Sequence, residues 1–179
     1  MKTTYVVDNL SVAKVLIDPM RRAILDLLRI SPMTQAKLAD ELGLSGPSLN
    51  YHMKLLKSKK LVAITKREAE KHGIIQKFFE PAAYLFVYDL DALPKHIARY
   101  FYPVSLERTR GIISALHVAN DSKFGLVADP PDQINQLSER ISRSLVKVAR
   151  RYSDKEVQYG SEAIVFTIYS QALRAAITN

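Results

Sequence analysis

The 179-residue chain contains no cysteine, so disulfides, thiolate nucleophiles and sulfur-ligated metal or redox sensing are excluded. Its six glycines are scattered, leaving no glycine-rich loop of the kind that cradles phosphates. No apolar run is long enough to span a bilayer, and the opening MKTTYVVDNLSVAKVLIDPM lacks the sustained apolar core of a signal peptide. These absences lead to the expectation of a cytoplasmic protein without membrane contact. His52, His72, His96 and His117 show neither H-x-x-x-H nor H-E-x-x-H spacing, and no nucleophile stands beside a base in a motif. No catalytic residue, metal site or cofactor is therefore expected, and the chain reads as a non-enzyme. The sharpest absence is local: between Ser45 and Arg67 there is no Asp or Glu. A surface free of acids suits a polyanion.

That acid-free segment belongs to TQAKLADELGLSGPSLNYHMKLLKSKKL, residues 34–61. Thr34 is placed to cap one short helix, Gly43 to end it in the left-handed conformation, and Ser45 to cap a second. Ala36, Leu38, Ala39 and Leu42 recur at helical spacing in the first, as do Leu49, Met53 and Leu56 in the second, so each helix has one face to bury. The pattern is a helix-turn-helix. On the outer face of the second helix, Gly46 and Pro47 keep the N-terminus slim for close approach to a phosphate. Ser48, Asn50 and Tyr51 are candidates for base edges in a major groove. Lys54 and Lys57, with Lys59 and Lys60, suit phosphates. Thr34, Gln35 and Ser45 join the candidate DNA-binding set, and His52 is open between a base or phosphate contact and a partly buried ring.

Upstream, Asp18 and Pro19 open a helix with Met20, Ile24, Leu27 and Leu28 on one stripe. Downstream, Leu61 to Thr65 alternates towards a charged loop ending at Gly73, and Ile74 to Glu80 returns: a hairpin. Together these elements resemble the winged helix-turn-helix of ArsR-type transcriptional regulators, especially archaeal ones. The likeness is carried by Asp18, Arg21, Arg22, Ile24, Leu25 and Leu28, by Thr34, Leu38, Ala39 and Leu42, and by Leu44, Ser45, Pro47, His52, Leu56, Leu61 and Val62. It covers residues 12–81. It implies that the hairpin is a wing, with Lys66, Arg67, Lys71 and His72 against the backbone or minor groove. Two departures stand out: Lys60 occupies the usual place of a glycine, and the thiolates of metal-sensing members are missing.

Charge follows the motif. Of the net +8, residues 1–80 contribute 14 bases less 8 acids, or +6, and residues 81–179 contribute 12 less 10, or +2. The excess argues for nucleic acid or an anionic surface as partner, and the winged-helix resemblance makes double-stranded DNA the partner expected. Residues 1–8 are open between an edge strand and an arm, and Ser11 is expected to cap a helix to Ile17. Beyond Pro81, residues 82–88 read as a strand or packed connector, residues 94–102 and 106–120 as helices divided by Pro103, and residues 124–131 as a loop. Residues 132–152 form a long helix with Ile134, Leu137, Ile141, Leu145 and Val148 on one stripe. Ser153 to Glu156 looks like a capping box opening a last helix that carries Ile164 and Ile168.

The expected fold is thus mainly α with a small β-hairpin wing. A winged helix-turn-helix domain over residues 1–90 precedes an all-helical dimerisation region over residues 91–179, whose stripe residues pair two copies. The function expected is that of a sequence-specific transcriptional regulator, a repressor, acting as a homodimer. Two other readings stay open: a winged-helix interaction or nonspecific nucleic-acid-binding module, and a regulator gated by an unidentified small-molecule effector. For the latter, Tyr84, Phe86, Tyr100, Phe101, Tyr102, Ile113 and Phe124 could line a pocket, with Arg108, Arg110 or His117 as polar anchors.

Overall fold

Capping chemistry sets the order of elements. In the computed structural model, which describes residues 1–69, 75–118 and 131–178, the Asp18 carboxylate accepts from the amides of Met20 (2.8 Å) and Arg21 (3.4 Å) and opens α2, Pro19–Ile30. Before it lies α1, Leu10–Leu16, capped by Asn9 rather than by Ser11, whose amide is the donor. The two helices are tied by cations on helix-end carbonyls: Arg21 Nε donates to Val15, and Arg22 Nη1 to Leu16 (2.7 Å) and Ile17 (2.8 Å). Such donors satisfy acceptors that a helix C-terminus leaves free.

Thr34 caps α3, Gln35–Glu41, and Ser45 caps α4, Gly46–Ser58. Gly43 has φ +62 between them, as the turn requires. After α4 the chain reverses at Lys60, φ +55, so the lysine adopts the left-handed conformation itself. The wing is β2, Val62–Ala69, antiparallel to β3, Ile75–Pro81, with a bulge between Ile64 and Lys66. Met33 adds the small third bridge, to Phe79. Ile24, Leu28, Leu38, Leu49, Met53, Leu56, Leu61 and Phe79 are buried together between these elements. Truncating one such leucine to alanine costs about 2 to 5 kcal/mol.

The ambiguous N-terminus is a strand. β1, Lys2–Val7, pairs in parallel with β4, Ala83–Tyr88, Thr4 opposite Leu85 and Val6 opposite Val87. Its other edge bonds residues 155–157: Thr3 N donates to Lys155 O (2.7 Å), and Val157 N to Met1 O (3.1 Å). The capping box expected at Ser153 to Glu156 is therefore not one. The backbone there serves β1, Ser153 Oγ donates back to Arg150 O, and the last helix, α8, begins at Glu162 and runs to Thr178.

Two other boundaries differ. The helix expected over residues 94–102 is only α5, Lys95–Ala98, and Pro103 does not separate helices. It sits in the first turn of α6, Tyr102–Val118, where a missing N–H costs nothing. The loop expected at residues 124–131 lies outside the described residues except for Pro131, which opens α7, Pro131–Arg150.

A second core joins β4 to the last helices. Leu85 and Val87 pack with Leu145, Val146, Val148 and Ala149 of α7 and with Ile168 and Ala172 of α8. The stripe residues Ile141, Leu145, Val148 and Ile168 are thus covered by their own chain, because β4 offers α7 an apolar face, whereas Ile134, Leu137 and Ile164 are half-buried. Among the described residues no helix is long and apolar enough to cross a membrane.

Candidate nucleic-acid interface

The exposed end of α4 is built from small groups. Ser45 Oγ accepts from Ser48 N (3.4 Å), and Gly46 and Pro47 lie at the surface with Ser48 half-buried behind them. A Cβ on Gly46 would meet nothing within 4 Å, so no contact inside the chain demands a glycine there. Asn50, Tyr51 and Lys54 are exposed on the next turns, Tyr51 to 59%. Leu49, Met53 and Leu56 anchor the opposite face, which fixes the rotation of the helix.

His52 is on neither face. Its ring stands edge-on to Tyr51 at 5.6 Å, and its Nδ1 is buried without a hydrogen-bond partner, 3.8 Å from the Asp18 carboxylate. That separation is too long for a hydrogen bond. The residue is therefore directed towards the cap of α2.

Gln35 links the two helices of the motif. Its Nε2 donates to Asn50 Oδ1 (3.4 Å), and its Oε1 accepts from Lys57 Nζ (3.2 Å). Lys57, expected at phosphates alongside Lys54, is exposed, with its ammonium 4.3 Å from the centre of the Phe79 ring. Burial and the charge of Lys77 lower its pKa. Thr34 Oγ1 accepts from Lys37 N (3.2 Å) and so acts as a cap.

The wing has two unlike faces. On one, Lys66 pairs with Glu68 and approaches the Phe78 ring to 5.7 Å. On the other, Arg67 is directly opposite Lys77, and Lys77 is close enough to α4 to act on Lys57. Arg67, Lys77 and Lys57 form a basic group in which Lys66, already paired, takes no part. Lys77 is absent from the residues singled out by sequence; the cross-strand pairing that places it opposite Arg67 depends on the bulge. Lys71 and His72 lie outside the described residues.

The proposed aromatic pocket is not one cavity. Phe101 is in the first core, stacked on Tyr88 with ring centres 4.0 Å apart, and Tyr100 is exposed. Tyr102 lines a cavity of about 430 Å3 between α5, α6 and α7, while Tyr84, Phe86 and Arg108 line a different one. Arg110 pairs with Glu107 at the surface. Phe124 and the side chains of Ile113 and His117 lie outside the described residues. Among those residues no group of three His, Cys, Asp or Glu side chains could hold a metal ion.

Residues 16–65, from the end of α1 into β2, match the helix-turn-helix domain family. The chain is also similar to the transcriptional repressor SdpR of Bacillus subtilis strain 168, with 38% identity over 53 residues, 30% of this chain. It spans 59% of the length of that relative. The relative is bacterial and lends no support to an archaeal affiliation.

Proposed function

We propose that this chain is a sequence-specific, double-stranded DNA-binding transcriptional regulator of ArsR type, a repressor that acts as a homodimer by occupying promoter DNA. The observation that carries the reading is the open end of α4: slim at Gly46 and Pro47, exposed at Asn50, Tyr51 and Lys54, and free of carboxylates through Arg67. The matched helix-turn-helix family and the name of the relative support it. Asn50 and Tyr51 read base edges, with Ser48 behind them, and Lys54, Arg67 and Lys77 hold phosphates. Gln35 orients Asn50 before binding.

Residues 1–90 form the reading head in this proposal, and residues 91–179 hold the dimer. Support comes from an apolar spot on the outer side of α8: Ile168, Ala172 and Ala176 face inward, while Phe166 is 73% exposed beside exposed Ala163. Large apolar side chains left together at a surface suit a partner. A second copy would set two heads about 34 Å apart, one helical turn of DNA.

Fluorescence anisotropy tests this reading with the DNA upstream of the chain's own gene and a scrambled duplex of equal length, each at two salt concentrations. The expected result is a preference for the upstream DNA that survives higher salt. Equal, steeply salt-sensitive binding to both would favour a nonspecific coat, because phosphate contacts alone produce that slope. Sedimentation of the intact chain as a monomer at micromolar concentration would remove the dimer.

A further inference from the structure

A second basic group converges on a cavity that shares no lining residue with the exposed end of α4 or the wing. Arg22 and Arg29 of α2 and Arg108 of α6 line a cavity of about 220 Å3, with Tyr84, Phe86 and Tyr88 of β4 and Tyr169 of α8 on its other walls. Among the described residues none of the three guanidinium groups forms an ion pair. Arg22 is directed to the carbonyls closing α1. Arg29 lies 5.5 Å from the centre of the Tyr84 ring, and Arg108 5.2 Å from that of Tyr169.

One acid, Asp26, lines the same cavity. Burial raises its carboxyl pKa against the opposing pull of Arg29 and Arg22, so it is not an ideal counter-ion for either. Two helices, α2 and α6, thus bring three positive charges to an aromatic-walled cavity that supplies one carboxylate. Like charges gathered at reduced dielectric repel, and the chain's own residues leave the surplus unneutralised. The planar guanidinium is also the group best matched to carboxylate or phosphate oxygens.

We propose that this cavity binds a small organic anion, a carboxylate or phosphate head on a flat apolar body, with Arg29 and Arg108 at the head and the tyrosine rings along the body. Its volume lies below the roughly 300 to 1,000 Å3 of drug-sized sites, which limits the body to about one ring. The proposal does not depend on DNA reading.

The test follows the melting temperature of the full chain, at ionic strength held constant with chloride, against benzoate, phenyl phosphate and neutral benzamide. A saturable rise is expected with benzoate or phenyl phosphate, the better of the two identifying the head group, and none with benzamide at the same concentration. Arg29→Gln and Arg108→Gln should each weaken the anion at least tenfold. Arg143→Gln should not, since that guanidinium pairs with Asp91 and Glu139 elsewhere. Without ligand, Arg108→Gln should melt at or above the wild-type temperature, because it relieves repulsion; an arginine with only a structural role would lower it. Equal responses to all three compounds, or anion binding indifferent to both cavity substitutions, would overturn the proposal.

Discussion

Asn50 and Tyr51 lie one residue apart on α4, yet they are held differently: Asn50 is bonded to Gln35, and Tyr51 is mostly in solvent. Either substitution to alanine should cost about 1 to 3 kcal/mol on the preferred site and less on random DNA, whereas Lys54→Ala should weaken both alike. Anisotropy on the two duplexes separates the cases, and three indistinguishable variants would show the reading face to be misassigned. For the wing, Lys77→Ala should reduce the slope of log affinity against log salt by about one. Lys57→Ala should change that slope less, because its ammonium is engaged by Gln35 and the Phe79 ring. The capping residues Asp18, Thr34 and Ser45 were legible in the sequence because a cap is a local contract between a side chain and amides two or three residues on. The engagement of Lys57 was not, since it needs α3, α4 and β3 in place together.

Titration gives another measurement at this scale. Burial pushes the Tyr88 phenol up to about 12, with Arg22 opposing, Asp26 assisting and Arg108 opposing. An unfolded tyrosine ionises near pH 10. Tyr88 therefore contributes its full stability below pH 10 and loses it as pH rises towards 12, by about 1.4 kcal/mol per unit. Replacing Tyr88 with phenylalanine should flatten the decline of stability between pH 10 and 12 in denaturant melts; an unchanged slope would assign the decline to other groups.

At the scale of elements, the end of α4 is the strained one. Lys60 holds φ +55, a conformation costing an L-residue about 1 to 2 kcal/mol, where the resembling family has glycine. Part of that cost returns through the greater unfolded freedom of glycine. Lys60→Gly should stabilise the fold by about 0.5 to 1 kcal/mol, read as a higher melting temperature; a lower one would mean that the lysine side chain does more than turn the corner. Helices with strong local signals, α2 to α4 and α7, were readable from periodicity and caps. Ser153 to Glu156 was misread because its capping pattern lost to a distant demand: β1 needs partners for its second edge, and residues 155–157 supply them. Pro103 was misread as a divider because proline ends and begins helices equally well.

The whole molecule is tied together more closely than its motif order suggests. Leu93, Ile97 and Phe101, from beyond residue 90, are buried in one core with the helix-turn-helix residues, and Leu85 and Val87 lie under α7 and α8. A chain ending at Leu90 loses those three side chains, each worth about 1.5 to 3 kcal/mol when buried, against a total stability of about 5 to 15 kcal/mol. It should show no cooperative thermal transition by circular dichroism. A sharp melt near that of the full chain would establish residues 1–90 as an independent unit. Nothing in the local sequence announces this coupling. Thr4 looks like any strand residue, but its hydroxyl donates to Ala149 O at 2.7 Å in a buried setting.

The parallel pairing of β1 with β4 has a consequence in time. Lys2 is in register with Ala83, 83 minus 2 or 81 residues away, and closing so long a loop costs about 4 kcal/mol before any contact repays it. The covering helix arrives later still, since Thr4 waits for Ala149. During synthesis, at about 5 to 20 residues per second, the first strand therefore stands unpaired for seconds while the helix-turn-helix behind it can already close on local contacts. The edge made first is among the last parts of the molecule to find its place, and until then it is the segment most available to a neighbouring chain.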